Sequence, residues 1–509
     1  MLKQGAAWGL QNVLPYRFIG RNEAEMRVLL IVLALLAGAF LPQTQSVPIP
    51  ERLFPETGWR VRGRLLEYWN SNGALPVFGL PLGPQRTATT PEGRFAAQQF
   101  ERERLELHPE QNAPYDVQLG RLGDELLRRQ GRDWRAEGRG ETMAGRCRRF
   151  ATTEREVCGP FLRYWQAVGL ELGDAGVSER ESTALFGLPL TAPRYETNSS
   201  GDRVLTQWFE RARFELHPNN PAAFQVLLGR LGAELVGEQA PLPPLAIQPE
   251  PAAVLQGHTL RINAAVAGAT AVRGSLGAAP LAFFADPDGG WRALGGVPVL
   301  TPVGTLPLRV EADLPDGRTA VQEVGVRVVD ARYRAENINL PQAVRDMLER
   351  NKEAIAAERQ LVNAIWPQAT AERLWSGRFI LPAEGRRSSS FGTNRSYNGG
   401  PVDSFHEGLD IANAVGTPVV APARGRVMLA EPDLLVRGGA VILDHGQSVH
   451  TGFWHMSAVL VKPGELVEQG QIIGRIGAKG MVTGPHLHWD VRIGMVNVQP
   501  DEWLERSWP

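Results

Sequence analysis

Two histidines separated by one leucine, His486 and His488, constrain the fold of this 509-residue chain more than any other feature. Side chains two residues apart lie on the same face of a β-strand but point in nearly opposite directions on a helix. Their neighbours Leu487 and Trp489 are apolar, which favours a strand with both imidazoles on one face and a core on the other. The string that contains them therefore predicts a β-sheet in the last quarter of the chain.

A second string, HEGLD, places His406 and Asp410 four residues apart, a spacing that either a strand or a helix can align. Gly408 lies between them and a Gly-Gly-Pro turn precedes them, so a strand is favoured. The helical zinc-protease motif would also require a second histidine where Asp410 stands. A third string, FWHM, contributes His455.

Imidazole and carboxylate groups in this combination are typical of a catalytic zinc site, in which one coordination position stays open for water. Such a metal polarises a carbonyl group and makes water a usable nucleophile at neutral pH. Histidines left beside the metal are suited to proton transfer and to oxyanion stabilisation. A thiolate-rich structural zinc site is excluded, because neither of the two cysteines lies near these strings.

Residues 390–504 resemble the lysostaphin/LytM-type zinc endopeptidases of bacterial peptidoglycan. The similarity runs in order through SSFGTNRSYNGG, HEGLDIA, GTPVVAPARGRV, VILDHG, FWHMS, VKPGELVEQGQIIGRIG and TGPHLHWDVR. The resemblance implies a small antiparallel β-sheet that forms a groove, with Zn²⁺ on its floor and peptidoglycan as the substrate.

By position, the resemblance places the zinc ligands at His406, Asp410 and His488. The two non-ligand histidines of the family fall on His455 and His486. In the family these histidines orient or deprotonate the water and stabilise the tetrahedral oxyanion.

Departures from the family pattern are small. FWHM stands where members commonly have Tyr-x-His-Leu, and the loss of a tyrosine hydroxyl affects substrate preference rather than catalysis. WD replaces the usual Phe-Glu conservatively. We interpret His445 and His450 as structural, with a place lining the groove as the alternative for His450. Residues 434–439 and 478–483 are predicted loops that wall the cleft.

The first half of the chain contains an internal repeat, in which FGLPL, ER-x-R-x-ELHP and LGRLG each occur twice. The period of roughly a hundred residues exceeds the 20–50 residues of solenoids and indicates a domain duplication. Duplicated α+β modules are predicted at residues 51–135 and 150–237, each with one strand running through the ER-x-R segment. They loosely resemble LGFP-type wall-associated modules, which implies binding to cell-wall glycan.

Matched aromatic and histidine positions in the repeat have two interpretations. Trp69 with Trp165, and His108 with His217, are either ligand contacts or core aromatics and a structural His-Pro turn. The structural interpretation is favoured, since a duplicated module keeps its core.

Between the repeat and the last domain, the composition changes three times. Residues 238–251 are rich in proline and predict a semi-rigid linker. Short β-type runs separated by turns predict an immunoglobulin-like β-sandwich over residues 252–332, in which we assign His258 no role. A charged helical connector is predicted at residues 341–366, followed by the zinc peptidase domain at residues 377–509. The predicted fold is therefore multidomain, with a mainly β C-terminal domain.

The N-terminus carries an apolar run at residues 28–41 that is the size of a signal-peptide core and short for a membrane span. Residues 1–46 are predicted to be a signal peptide or an uncleaved signal anchor, with Met26 as an alternative start. Both interpretations place the rest of the chain outside the cytoplasm. The membrane is a partner only if the signal is an uncleaved anchor.

Net charge and cysteine content give little information about partners or compartment. A formal net charge of −1 gives no reason to expect nucleic acid as a partner. Cys147 and Cys158 either form a disulfide in an oxidising compartment or are unrelated thiols.

Three functions are compatible with the sequence. The leading prediction is an exported zinc endopeptidase that cleaves peptide bonds in peptidoglycan. The second is a LytM-type regulator without catalysis that activates a cell-wall amidase; such regulators have typically lost zinc ligands, whereas all five residues are present here. In the third, the N-terminal modules cover and inhibit the enzyme.

Overall fold

The computed structural model describes residues 49–90, 93–287 and 289–508, which form nine β-sheets with few helices. The prediction of a mainly β C-terminal domain is confirmed. The predicted signal segment, residues 1–46, lies outside the described residues. Within the described part of the chain, none of the helices combines the length and the apolar character needed to cross a bilayer.

Two similar units come first, each with a β-hairpin, two short helices, a four-stranded antiparallel sheet and a final helix. The first unit contains β1 (Glu51–Phe54), β2 (Trp59–Arg62), α1 (Gly63–Ser71), α2 (Ala74–Phe78), β3 (Arg86–Thr90), β4 (Gly93–Gln99), β5 (Arg104–Leu107), β6 (Val117–Leu119) and α3 (Leu122–Arg129). The second contains β7 (Cys147–Phe150), β8 (Arg155–Cys158), α4 (Gly159–Ala167), α5 (Glu179–Phe186), β9 (Arg194–Thr197), β10 (Arg203–Trp208), β11 (Arg213–Leu216), a 3₁₀ turn (Ala222–Phe224), β12 (Val226–Leu228) and α6 (Leu231–Val236).

Aromatic side chains organise the core that the two units share. Trp69 and Trp165 are buried, and each ring meets a phenylalanine edge-on at a centroid distance of 5.2 Å. Their burial agrees with the interpretation as core residues. His108 is also buried, with its Nδ1 3.0 Å from Glu110 Oε1. Cys147 and Cys158 form a disulfide across the β7–β8 hairpin.

The single strand expected through the ER-x-R segment is wrong. The strand β4 ends at Gln99, and a turn in which the Phe100 amide donates to the Glu103 carbonyl leads into β5. The same turn recurs in the second unit, where the Phe209 amide donates to the Ala212 carbonyl. The short Glu-Arg segment after each phenylalanine closes a tight hairpin that strand periodicity alone does not reveal.

The two units also contact each other reciprocally. The amide of Gly123, in α3, donates to the Glu210 carbonyl at 3.0 Å, while the amide of Ala233, in α6, donates to the Glu101 carbonyl at 3.0 Å. Arg121 pairs with Glu210 at 2.9 Å. A Cβ at Gly123 would overlap the carbonyl oxygen of the opposite unit, so this helix approaches closely only because the residue is glycine.

Two sheets with a common hydrophobic core follow. The first has the order β13-β15-β19-β18 and the second the order β14-β21-β20-β16-β17, with β14 parallel to β21. Their strands are β13 (Ala246–Glu250), β14 (Ala253–Leu255), β15 (Thr259–Ala265), β16 (Ala271–Leu276), β17 (Ala279–Ala282), β18 (Phe284–Ala285), β19 (Trp291–Gly296), β20 (Gly304–Asp313) and β21 (Thr319–Val329).

The C-terminal region is built on an eight-stranded sheet in the order β23-β26-β34-β30-β29-β28-β32, with β35 paired to β34. The elements of this region are β22 (Ala335–Ile338), α7 (Gln342–Arg350), α8 (Lys352–Asn363), β23 (Arg386–Ser389), β24 (Asn394–Tyr397), β25 (Val402–Phe405), β26 (Leu409–Ala412), β27 (Pro418–Val420), β28 (Gly425–Leu434), β29 (Gly438–Gly446), β30 (Val449–Met456), β31 (Ala458–Val459), β32 (Leu466–Val467), β33 (Ile472–Arg475), β34 (His486–Ile493), β35 (Val496–Val498) and α9 (Pro500–Glu505). Smaller sheets join β22, β24 and β25, and β27, β33 and β31.

The connector between these regions differs from the sequence prediction. One continuous helix was expected, but the chain breaks at Asn351 into α7 and α8. The second helix packs on the large sheet, because Val362 belongs to one apolar cluster with Trp366 and Trp454. The connector is therefore part of the C-terminal core and not only a solvated spacer.

His258, to which the sequence assigned no role, has a buried partner. Its Nδ1 lies 2.6 Å from Glu502 Oε1, and the other carboxylate oxygen accepts from the Thr259 amide at 2.9 Å. This histidine links the middle sheets to α9, a long-range contact that sequence spacing cannot indicate.

Candidate metal centre

The register of two neighbouring strands brings the predicted ligands together. Asp410 in β26 lies directly opposite His488 in β34. On β34 the side chains of Leu487 and Trp489 are fully buried, whereas His486 and His488 lie half-buried on the other face. The alternation predicted from the HLH string is therefore present in the structure.

His406 reaches the same place by a different route from the one expected. It lies in the turn between β25 and β26 rather than on a strand, and its amide donates to the Thr393 carbonyl at 2.9 Å. Gly408 makes this bend possible, because a Cβ there would overlap the Trp489 carbonyl and come within 2.7 Å of His488 Nε2. A close approach of two backbones, not strand parity, aligns His406 with Asp410.

Three atoms of these side chains form a nearly equilateral triangle. His406 Nε2 and His488 Nδ1 lie 3.0 and 2.9 Å from Asp410 Oδ1, and the two nitrogens are 3.1 Å apart. Tetrahedral zinc with bonds of about 2.0–2.1 Å spaces its ligand atoms about 3.3 Å apart. The donor types and their spacing therefore fit one face of a zinc coordination shell.

Hydrogen bonding around His406 also favours a cation. Its Nδ1 lies 2.9 Å from the Ser390 carbonyl oxygen and must donate there, so a neutral ring directs the Nε2 lone pair at Asp410 Oδ1. Burial alone would raise the pKa of the Asp410 carboxyl, but when His406 and His488 carry the protons to donate to it, those hydrogen bonds hold this pKa far below its ordinary value, so the carboxylate is ionised in either case. A lone pair and an ionised carboxylate repel each other unless a proton or a cation lies between them.

His455 lies beside the triangle in a strained conformation. Its φ of +68° is in the left-handed region, where a residue with a Cβ is disfavoured. Two hydrogen bonds hold it: its amide donates to the Arg437 carbonyl at 2.7 Å, and its Nδ1 donates to the Lys479 carbonyl at 2.9 Å. Burial lowers the pKa of His455 to about 4, so the ring is neutral at physiological pH with a lone pair on Nε2.

His486 is oriented in the same manner. Its Nδ1 donates to the Gly484 carbonyl at 2.9 Å, which leaves Nε2 as the atom nearest the triangle, 3.7 Å from Asp410 Oδ1. The rings of His455 and His486 are 5.0 Å apart. Backbone carbonyls therefore engage Nδ1 of both non-ligand candidates, which leaves Nε2 as the ring nitrogen available for chemistry in each.

Glu358 is a supporting residue that the sequence did not reveal. It is buried on α8, and its carboxylate accepts from the amides of Val436 and Arg437 at 2.8 and 3.2 Å and from the Arg437 guanidinium at 3.1 Å. The Arg437 carbonyl in turn holds the His455 amide. Helical spacing is the signal in the sequence that could have indicated this role. Glu358 lies four residues before Val362, so both side chains lie on the face of α8 that packs on the sheet.

The remaining histidines of this region lie away from the triangle. His445 is fully buried between the Arg424 carbonyl, to which its Nδ1 donates, and the Thr451 hydroxyl. His450 is also fully buried, with Nε2 2.7 Å from the Gln368 carbonyl oxygen. The alternative of a groove-lining role for His450 is therefore disfavoured.

The C-terminal part of the chain matches a known family. The model of peptidase family M23 matches residues 404–500. An uncharacterized metalloprotease of Haemophilus influenzae is 36% identical over 146 residues, 28% of this chain and 30% of that protein. The peptidoglycan DD-endopeptidase ShyA of Vibrio cholerae is 36% identical over 114 residues, 22% of this chain and 26% of that protein.

The chain spans less than a third of the length of these two proteins. Among solved structures, a zinc-containing peptidase from Vibrio cholerae is 14% identical, with a TM-score of 0.25, covering 65% of this chain and 97% of that one. The resemblance found in residues 390–504 is confirmed at the level of the family.

Proposed function

Because the C-terminal domain of this chain belongs to peptidase family M23, we propose that the protein is an exported, zinc-dependent endopeptidase that hydrolyses peptide bonds in peptidoglycan stem peptides or cross-bridges. The observation that carries the proposal is the triangle of His406, Asp410 and His488 with two oriented histidines beside it. A relative that shares this domain is named as a peptidoglycan DD-endopeptidase.

His406, Asp410 and His488 would hold the zinc ion. Two imidazoles and one carboxylate are a donor set that suits catalytic zinc. When bound, zinc supplies Lewis-acid polarisation of the scissile carbonyl and of the attacking water. The hydrogen bond from His406 Nδ1 to the Ser390 carbonyl fixes that ring so that Nε2 faces the site.

His455 and His486 would carry the proton transfers. Each has Nδ1 engaged with a backbone carbonyl, so each presents Nε2 to the substrate. The neutral ring of His455 is suited to accept a proton from water, since burial keeps its pKa low. His486 would then stabilise the oxyanion of the tetrahedral intermediate by donating a hydrogen bond from Nε2, which requires a ring protonated on both nitrogens because Nδ1 already donates to the Gly484 carbonyl.

The regulator alternative is not favoured. A regulator that only binds an amidase does not require the ligand set, whereas here the ligands, both further histidines and the carbonyls that orient them are all in place. Strain at His455 also supports catalysis, because unfavourable backbone conformations are retained mainly where function needs them.

The remaining regions extend the proposal. The units at residues 51–135 and 150–237 are duplicated modules that hold the enzyme at wall glycan, since their repeated motifs take the same fold twice. The sheets that begin with β13 form an immunoglobulin-like spacer. The expected linker, residues 238–251, is shorter than its proline content indicated, because Ala246–Glu250 pairs with β15 as part of the first of these sheets. The segment of residues 1–46 directs export.

Digestion of isolated peptidoglycan tests this function. The purified protein with added zinc should release new amino termini, detected by end-labelling, and mass spectrometry of the fragments would identify the bond. Asp410→Asn should abolish release. Asp403→Asn is the matched control, because this exposed carboxylate of β25 has no hydrogen bond or ion pair within the described residues. Failure to cleave any of several chemically distinct peptidoglycans would contradict the proposal, and tight binding of an amidase without cleavage would support the regulator.

A further inference from the structure

A cleft of about 590 Å³ adjoins the triangle and takes no part in the mechanism above. Two of its lining residues, Phe405 and Glu407, directly precede and follow His406. A third lining residue is Arg437, whose carbonyl oxygen accepts a hydrogen bond from the His455 amide. The cleft is therefore connected to the site through the residues on either side of His406 and through the carbonyl that holds His455.

Three arginines line this cleft, and their charges are only partly compensated. Arg437 pairs with Glu358 at 3.1 Å, and Arg492 pairs with Glu407 at 2.8 Å. Arg359, exposed on α8, has no ion pair among the described residues. Arg492 Nε also lies 3.8 Å from the buried carboxylate of Asp490. The uncompensated charge at the cleft is therefore that of Arg359, although the lining residues themselves include three arginines and one carboxylate, Glu407.

Two of the guanidinium groups are held in place by tryptophans. Arg437 lies over the ring of Trp454 at 5.1 Å, and Arg492 lies over the ring of Trp366 at 4.6 Å. Arg492 is 7% exposed, and its Nε has no hydrogen-bond acceptor in the described part of the chain. These groups are fixed before a ligand arrives, so little side-chain entropy is lost on binding.

The register of β34 gives the distance of the cleft from the metal ligands. Arg492 follows His488 by four residues on the same face, which corresponds to about 14 Å along a strand. An extended peptide that reaches this far places a group about four residues from the scissile bond over the arginines. This distance is several times the length of one residue, so the cleft would contact a part of the substrate that is remote from the reacting carbonyl.

We propose that this cleft is a carboxylate subsite, which binds a free carboxylate of the peptide substrate and sets specificity for acidic over amidated stem peptides. The inference rests on the proposed function, since it assumes a peptidoglycan peptide in the groove. Arginine recognises carboxylates through paired N–H donors, and charge-assisted hydrogen bonds of this kind are roughly twice as strong as neutral ones. An amide in the same place loses the charge and presents donors to the guanidinium.

Equilibrium binding of synthetic stem tetrapeptides to the full chain tests the subsite. In the peptide series, each carboxylate is converted in turn to a carboxamide, and affinities are measured by calorimetry for the wild type, Arg359→Gln and Arg350→Gln. Arg350 is the matched control, an exposed helical arginine outside the cleft and without an ion pair among the described residues. Turnover of the corresponding cross-linked dimers is measured in parallel.

One amidation should weaken binding to the wild type and to Arg350→Gln by about tenfold. Arg359→Gln should bind the parent peptide about tenfold more weakly and should be insensitive to that amidation. Equal affinity of Arg359→Gln and Arg350→Gln for the parent peptide, or no detectable binding by the wild type, would overturn the subsite. Carboxylate-dependent binding without turnover would support the subsite and contradict the endopeptidase function. Turnover that is unaffected by amidation and by Arg359→Gln would support the endopeptidase function and contradict the subsite.

Discussion

At the residue scale, this site depends on positions that carry no chemistry of their own. Gly408 allows the chain to turn sharply enough for His406 to reach Asp410, and the carbonyls of Ser390, Gly484 and Lys479 determine which ring nitrogens are available. Side-chain identity supplies the donors, and the backbone supplies their direction.

Gly408→Ala should therefore weaken zinc binding by about 10- to 100-fold, as loss of supporting contacts around a metal typically does. The added methyl group would overlap the Trp489 carbonyl and crowd His488, so β26 and β34 must separate. Competitive chelator titration measures the effect. Gly484→Ala is the control, because its Cβ would meet open space; equal zinc affinity of the two variants would contradict the role given to Gly408.

A second prediction concerns pH and His445. Burial lowers the pKa of this ring to about 4, whereas an unfolded histidine titrates near 6.5. Between these values the unfolded chain binds a proton that the folded chain does not, so the free energy of unfolding falls as the pH falls. His445→Gln should reduce the loss of stability between pH 7 and pH 5 by about 2 kcal/mol, measured by denaturant unfolding. An unchanged pH dependence would contradict it.

At the scale of elements, the sequence correctly predicted the alternating strand β34. It did not predict local structure that depends on contacts between segments distant in the sequence. The period of two in HLHW identifies β34 because a half-buried strand requires that pattern. The turn at His406 and the break at Asn351 could not be predicted, since one depends on the close approach of β34 and the other on packing of α8 against the sheet. Glu358 is one of several charged residues in the predicted connector, and only its contacts with the Val436 and Arg437 amides distinguish it from the exposed ones.

Glu358→Gln should lower kcat without removing zinc. The variant keeps one carbonyl oxygen but presents an amide N–H₂ to a backbone donor, so the loop that holds His455 loses a buried hydrogen bond. The cost should be about 1–3 kcal/mol of unfolding free energy. Kinetics, metal analysis and unfolding together test it against Glu353→Gln, an exposed change on the same helix. Unaltered kcat would exclude a positioning role for Glu358.

At the scale of the whole molecule, the large sheet is supported from two sides. The connector packs α8 and Trp366 against it, and the middle sheets are linked through His258 and Glu502 to α9, the helix that follows β35. Farther from the site, the two N-terminal units hold each other by equivalent helix contacts. Internal repetition was visible in the sequence, but this reciprocal pairing was not, because it depends on three-dimensional proximity.

Gly123→Ala should destabilise the paired N-terminal units by about 1–3 kcal/mol, the usual cost of overpacking. The new methyl group would overlap the Phe209 carbonyl where α3 meets the second unit. Thermal unfolding of this variant is compared with that of Gly138→Ala, a position where an added Cβ would have no neighbour within 4 Å. Equal melting temperatures would show that the two units do not depend on this contact.

Metal analysis of three purified proteins tests the central claim most directly. By plasma mass spectrometry, the wild type and His486→Ala should each contain one zinc ion per chain, because His486 lies beside the ligands without coordinating the metal. His488→Ala should contain none, since His406 and Asp410 alone are a poor coordination shell. Stoichiometric zinc in His488→Ala, or its loss from His486→Ala, would contradict the account.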